Sequence, residues 1–263
     1  MLLHLHLQNA SKITKQHYMK QTILVTGASS GFGLLVANKL HESGYNVIGT
    51  SRDPEKYQSK LPFKLLPLDI ANDHSIESFG NELFKHIRQL DVLINNAGLA
   101  LGRDYFDEAS LHDWTTMIDT NVKGLLYVSK AVLPFMIKNK KGHIINIGST
   151  AGKEVYEKGN VYCASKHAVD AISQAMRIDL LRHRIKVTAV HPGAAETEFS
   201  LVRFKGDEDT ARKVYEGFTP LSAEDVADVI YYTTTLPAHV CINDLVLTAA
   251  QQANSFYFNR QPL

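Results

Sequence analysis

Short apolar runs alternate with longer stretches of mixed polarity along most of the chain. Thr22–Thr26 (TILVT), Asn46–Ser51 (NVIGTS), Lys64–Leu68, Asp91–Asn95 (DVLIN), His143–Gly148 (HIINIG), Lys186–His191 and Leu245–Thr248 read as seven strands. Their apolar character is nearly continuous, which is the pattern of strands buried on both faces of a parallel sheet. Helices are expected between them: Gly33–Ser43, closed by Gly44; a segment from the N-cap Asn72 to about Arg88; Leu111–Asn139, kinked or broken at Pro134; Val161–His183; and Ser222–Thr235. The sequence contains no internal repeat, low-complexity tract or linker. The alternation predicts an α/β fold, a single doubly wound domain around a parallel seven-stranded sheet.

The first twenty residues stand apart. Met1–Leu7 alternates leucine with His4 and His6, and Gln8–Gln21 is polar. The segment lacks both the basic region and the unbroken apolar stretch of a secretory signal. Residues 1–20 are therefore read as an N-terminal extension outside the fold, and 21–263 as the domain.

A length of 263 residues alone permits one domain or two; the uninterrupted alternation favours one. With 28 Lys+Arg against 27 Asp+Glu the net charge is +1, which gives no general attraction to nucleic acid or to an anionic membrane. No apolar run approaches the ~18–20 residues that span a bilayer. Cys163 and Cys241 make neither a disulfide framework nor a zinc pattern, and the 12 histidines are scattered without ligand spacing, so no metal is expected. A cytoplasmic protein acting on a small molecule fits these bounds.

Chemistry enters at the turn Thr26-Gly27-Ala28-Ser29-Ser30-Gly31-Phe32-Gly33, between the first strand and the first helix. Glycines there let the backbone turn tightly and approach a ligand, and the free N–H groups and dipole of a helix start favour an anion such as pyrophosphate. Tyr162 and Lys166, four apart, share one face of a helix. An ammonium beside a phenol favours tyrosinate and lowers its pKa toward the range useful for acid–base catalysis. A carboxylate at the end of the second strand would select a free ribose 2′-hydroxyl; that strand ends in Thr50-Ser51-Arg52-Asp53, and Arg52 is suited to a 2′-phosphate. This favours NADP over NAD, although Asp53 is close enough to neutralise Arg52.

The spacing Thr26-Gly27-x-x-x-Gly31-x-Gly33 resembles the fingerprint of the short-chain dehydrogenase/reductase family. Other marks of that family follow in order: Asn95-Asn96-Ala97-Gly98, Asn121, Ser149, Tyr162-x-x-x-Lys166 and Pro192-Gly193. The resemblance covers residues 21 to about 250 and implies a Rossmann-type fold. It assigns catalysis to Ser149, Tyr162, Lys166 and Asn121, the last anchoring a water that relays protons from Lys166. It implies cofactor contacts from Gly27, Ser29, Ser30, Gly31, Phe32, Gly33, Arg52, Asp69, Ile70, Asn95, Ala97, Gly98, Tyr162, Lys166, Pro192, Gly193 and Thr197. Ser149 and Tyr162 would also hold the substrate oxygen.

Within the family, Asn95–Gly102, Met117–Gly124, Gly142–Gly152, Thr197–Asp207 and Leu236–Val240 are similar to NADP-dependent 3-hydroxy acid dehydrogenases acting on serine, allo-threonine and 3-hydroxypropionate-like compounds. The chain departs from that branch by being about one residue shorter between Pro192 and Thr197, and by carrying His191 in place of an acid. A substrate lid is expected around 194–220, with Arg203 or Lys205 meeting a substrate carboxylate. Reduction of an apolar ketone or 3-oxoacyl group is the alternative activity; a non-catalytic cofactor sensor on the same fold is the alternative of another class. Cys163, Trp114 and Met117 are read as packing residues. By the same resemblance the protein is expected to form a homodimer or homotetramer through the helices near Leu111–Asn139 and Val161–His183. The aromatic tail Phe256, Tyr257 and Phe258 would cover either a neighbouring subunit or its own.

Overall fold

The structure, a computed structural model, describes residues 20–261. All but Lys20 of the expected N-terminal extension lies outside the described residues. Seven strands form one sheet: β1 Thr22–Val25, β2 Asn46–Ser51, β3 Lys64–Pro67, β4 Val92–Asn95, β5 Gly142–Ile147, β6 Ile185–Pro192 and β7 Asp244–Leu247. Their order is β3-β2-β1-β4-β5-β6-β7, with every neighbouring pair parallel. The connections run one way from β1 to β3 and the other way from β4 to β7. The carboxyl ends of β1 and β4 therefore form the switch point where such sheets open a crevice for ligands.

Among the described residues, eight helices flank the sheet or cap its carboxyl edge: α1 Gly31–Glu42, α2 Asp73–His86, α3 Leu111–Ile118, α4 Leu125–Asn139, α5 Asn160–Asp179, α6 Glu198–Arg203, α7 Glu208–Lys213 and α8 Ala223–Thr235. A single turn, Glu55–Gln58, also lies between β2 and β3. Successive strand residues point to opposite faces, so Ile23 and Val25 meet Val36, Leu40, Val226 and Ile230 of α1 and α8. Leu24, Leu93, Ile144 and Val187 meet Phe79, Leu83, Val132 and Phe135 of α2 and α4 on the other face. Each such buried side chain contributes about 1.5–3 kcal/mol.

Local signals set several helix ends. Asn72 caps α2 by accepting the Ser75 N–H at 3.0 Å, as its sequence position predicts. Ser222 and Asp225 form a reciprocal capping box at the start of α8.

The long helical region differs from expectation. It is not broken at Pro134, which lies inside the continuous α4. The interruption is a π-helical stretch, Asp119–Gly124, between α3 and α4. Gly124 packs there against the Ile70 carbonyl, which a β-carbon would approach to 2.5 Å. Asn121 is drawn sideways into the bonds described below.

Of the tail aromatics, Phe258 packs on its own chain, while Phe256 and Tyr257 are exposed. Gln252 pairs with Phe258, the Phe218 and Phe258 rings lie 4.9 Å apart, and Gln251 Nε2 donates to the Asn259 carbonyl at 3.1 Å. Among the described residues, no helix is long and apolar enough to cross a membrane.

Candidate active site

A groove of about 460 Å3 runs over the switch point. Its floor is the glycine turn, where Gly27 and Gly31 have φ of +65° and +53°, a region costly for any side chain. Gly33 is required for a different reason. A β-carbon there would collide with the Gly27 carbonyl oxygen and with Asn96 Nδ2.

Asn96 is itself the fastening of the turn. Its Nδ2 donates to the carbonyls of Thr26 (2.9 Å) and Gly27 (3.2 Å), while its own N–H and that of Ala97 both donate to Thr26 Oγ1 at 3.0 Å. The first turn of α1 carries no acidic residue, and Ser30 makes no side-chain capping bond. The N–H groups of this helix start are thus open to an anion, and the residues present fit a dinucleotide's phosphates.

Ser29, Ser30, Phe32, Asp69, Ile70, Ala97 and Gly98 line the same groove, as does the exposed Arg52. Asp53 turns its carboxylate to the Lys56 N–H at 3.4 Å and forms no ion pair with Arg52. Asn95 does not line the groove. Its amide is buried in the core, donating to Ser129 Oγ (2.9 Å) and Asn146 Oδ1 (2.8 Å), because the pleat of β4 turns it into the sheet's helical face.

The groove opens at one end into a cavity of about 740 Å3, and Phe32, Tyr162, Thr197 and Phe199 belong to both. Ser149 caps the helical turn Thr150–Gly152 by accepting the Ala151 N–H at 3.1 Å, which leaves its hydroxyl hydrogen to donate. Tyr162 and Lys166 project from α5, nearly buried. Burial, and then the neighbouring Tyr156, push the Tyr162 phenol above its ordinary range; the Ser149 hydroxyl and the Arg203 charge pull the other way. Lys166 Nζ donates to the Ile147 carbonyl at 2.9 Å, and burial lowers its pKa to about 8. The lowering of the phenol expected from Lys166 is therefore outweighed here by burial, since the ammonium is turned to the end of β5.

Asn121 has its side chain committed. It accepts the Leu99 N–H (2.8 Å) and donates to the Leu99 carbonyl (2.8 Å) and to Ser165 Oγ (3.0 Å). The amide hydrogens are thus spent on the loop beside Gly98 and on α5. Pro192 and Gly193 line the cavity, and Thr197 caps α6 through its hydroxyl, which accepts the Phe199 N–H at 3.2 Å.

Residues 194–220, the segment expected to act as a lid, comprise α6, α7 and their flanks. Arg203 Nε donates to the Gly102 carbonyl (3.1 Å) and an Nη to the Tyr156 hydroxyl (3.0 Å), with its guanidinium carbon 5.4 Å from the Tyr162 ring centre. Lys205 does not face the cavity. Its ammonium pairs with the buried Asp113 at 2.8 Å, which clips the lid to α3.

Several lining residues carry no sequence signal: Arg103, Tyr105, Tyr156, Lys213, and Phe258 and Arg260 of the tail. Gln252 is another, its Oε1 accepting the Ala194 N–H at 2.8 Å and so holding the start of the lid loop. Four separate chain regions converge here, and only the fold brings them together. Cys163 is buried and its thiol is pushed up in pKa by that burial, as suits a packing residue. The scattered histidines do include one in a charged cluster: Asp170, His191 and Asp244 bring potential ligand atoms within 4.8 Å of one another. Lys153 stands between the two carboxylates, 3.1 Å from Asp170 and 2.6 Å from Asp244.

The chain belongs to the short-chain dehydrogenase family, whose model matches residues 21–207. It is 46% identical over 237 residues to the NADP-dependent 3-hydroxy acid dehydrogenase YdfG of Salmonella typhi, covering 88% of this chain and 96% of that protein. It is 41% identical over 247 residues to sulfoacetaldehyde reductase 2 of Chromohalobacter salexigens, covering 91% and 98%. Among solved structures, the closed form of serine dehydrogenase complexed with NADP+ superposes with a TM-score of 0.86 at 42% identity, covering 92% of this chain and 100% of that one.

Gly33→Ala is expected to spring the Asn96 fastening and abolish measurable NADPH binding in a fluorescence titration. It should also cost about 1–3 kcal/mol of stability in urea, the usual range for overpacking. Parental affinity in this variant would show that the turn has another way to close.

Proposed function

We propose that the protein is an NADP-dependent oxidoreductase that moves a hydride between the nicotinamide and the carbinol carbon of a small 3-hydroxy acid, of the serine, allo-threonine or 3-hydroxypropionate type. The observation that carries this reading is the meeting of Ser149, Tyr162, Lys166 and Arg203 where the groove joins the cavity. Three of them are the groups a carbinol–carbonyl interconversion requires, and the fourth is a cation within reach of the same place. The named relatives, which include an NADP-dependent hydroxy acid dehydrogenase, support it. Arg52, free of Asp53, supports a 2′-phosphate.

The bound cofactor would supply or accept the hydride. Tyr162 donates the proton to the forming alkoxide in reduction and removes it in oxidation, and the Ser149 hydroxyl steadies that oxygen. Lys166 has two further hydrogens beyond the one given to Ile147, enough to hold a ribose hydroxyl and to favour tyrosinate when oxidation needs it. A guanidinium at Arg203 holds a carboxylate at the far end of a three-carbon substrate. Arg103, Lys213 and Arg260 around the cavity make an apolar ketone or acyl chain the poorer fit.

The protein is further proposed to work in the cytoplasm, which suits its two unpaired cysteines, and as a homodimer or homotetramer. Leu111, Ile118, Leu126, Tyr127, Ile178 and Leu181 leave large apolar surface exposed on the helices expected to pair. Sedimentation should return a dimer or tetramer; a monomer at micromolar concentration would remove this part of the reading.

Tyr162→Phe should cut turnover by about 10²-fold or more while NADPH affinity stays near parental. The pH dependence should differ by direction. Burial keeps the phenol protonated past its ordinary range, so reduction has its proton donor throughout the neutral range and falls only in alkali. Oxidation requires tyrosinate, so its rate should climb with pH; parallel profiles for the two directions would contradict the assignment.

The decisive experiment is a panel of hydroxy acids, neutral alcohols, ketones and 3-oxoacyl esters followed at 340 nm with NADP and NAD. Hydroxy acids with NADP should lead. Arg203→Ala should raise KM for them by about 10-fold or more beyond any loss on neutral substrates, the worth of a charge-assisted hydrogen bond, since loss of the Gly102 and Tyr156 contacts is common to both classes. Preference for apolar ketones, or equal losses on both classes, would move the function to the alternative; a flat trace throughout would favour the cofactor sensor.

A further inference from the structure

His191, on β6, is completely buried directly behind Ser149. Its ring lies against Gly148, where a β-carbon would collide with it, and its Nδ1 stands 3.3 Å from the Ser149 carbonyl oxygen. A carbonyl can only accept, so Nδ1 carries the hydrogen. Nε2 lies 2.8 Å from Asp244 Oδ1 and 3.6 Å from Asp170 Oδ1, out of line for a hydrogen bond with either.

Four chain segments converge on this imidazole. Asp244 begins β7. Asp170 is on α5, one turn beyond Lys166. Lys153 ends the turn that Ser149 begins, and it bridges both carboxylates. The cluster thus carries its own cation between its acids, and joins the Ser149 loop to the helix that bears Tyr162. Burial and then Lys153 lower the pKa of His191, while Asp244, Asp170 and the Ser149 carbonyl oppose them. Burial opposes ionisation of Asp244 too, but Lys153, His191 and Arg177 outweigh it and hold its carboxyl below the usual range.

We propose that His191 is a positioning residue for Ser149: its ring, wedged against Gly148, holds the Ser149 carbonyl through Nδ1–H, so that the Ser149 hydroxyl faces Tyr162. This rests on the reading above that Ser149 steadies the reacting oxygen. The ring fills the space behind Gly148 and fixes the extended backbone from which the Ser149 side chain leaves β5. No contact to cofactor or substrate is required of it.

The test is a double-mutant cycle on the full chain, using whichever hydroxy or keto compound the parent turns over fastest. His191→Leu should lower kcat by about tenfold or more, the scale of a misplaced reacting group, with NADPH affinity within about twofold of parental. His191→Asn, whose amide nitrogen falls near the place of Nδ1, should keep kcat within about threefold. On a Ser149→Ala background, His191→Leu should cost less than about twofold, because the group it positions is gone.

Parental kcat in His191→Leu, or the same tenfold loss on the Ser149→Ala background, would overturn the proposal. If His191→Leu does not fold by circular dichroism, His191→Met, which keeps a similar apolar volume and likewise offers no donor, goes through the same cycle with the same two overturning outcomes. A wrong substrate class leaves the cycle intact, because it runs on any turned-over compound. A parent that turns over nothing would overturn both readings together.

Discussion

The site depends first on a lock between two carboxyl strand ends. At the switch point β1 and β4 are neighbours, yet their chains leave in opposite directions. Thr26 and Asn96 fasten them across that divergence, with one hydroxyl accepting two N–H groups and one amide donating to two carbonyls. The turn after β1 is also tied outward to β2, by Ala28 N–H to the Thr50 carbonyl at 2.9 Å. These bonds hold the turn low over the sheet, which is why Gly33 has no room for a side chain. A lowered turn presents the start of α1, with its unpaired N–H groups, at the height where a phosphate can reach them.

The same logic of buried, fully paired polar groups sets the catalytic helix. Asn95 donates to Asn146 on the neighbouring strand, and Asn146 donates to Ser173 at 2.9 Å. Ser173 belongs to α5, as do Tyr162 and Lys166. Ser165 of that helix receives the Asn121 amide, and Lys166 binds the end of β5. Leaving one such buried group unpaired costs about 1–3 kcal/mol, so sliding α5 along the sheet would break several bonds at once. The helix is thereby indexed to the sheet by hydrogen bonds as well as by packing, and the phenol inherits that precision.

What the sequence revealed follows the range of the physics. Strands buried on both faces announce themselves by apolar runs. A glycine turn is read from its spacing, and Tyr162 and Lys166 are related by a single helical turn. Each is a local signal. The π stretch was hidden because Asn121 is drawn aside by Leu99 and Ser165, partners distant in sequence, whereas Pro134 was a visible but idle breaker. Asn95 is placed at the cofactor by resemblance alone, whereas as the last residue of β4 it is turned by the pleat into the core. Lys205 and Arg203 looked equivalent two residues apart. Only the buried Asp113 on α3 and the Gly102 carbonyl distinguish them, and both partners are about a hundred residues upstream. Gln252, Tyr156 and the cluster around His191 are long-range for the same reason.

On the proposed reading of Arg203 as the carboxylate anchor, substrate choice and closure over the cavity become one problem. A guanidinium offers five hydrogens, and two are spent on Gly102 and Tyr156 to draw the lid over the cavity. Three remain for a ligand, so an anion can bind without undoing the closed lid, and the two sets of bonds favour the same conformation. A neutral substrate offers no anion to those remaining donors, which stand beside the buried Tyr162 ring. Discrimination for an anionic substrate then arises mostly from what an uncharged one fails to satisfy. The chain as a whole carries almost no net charge, and that does not matter here, because the selecting charge is held locally by the contacts that shut the site.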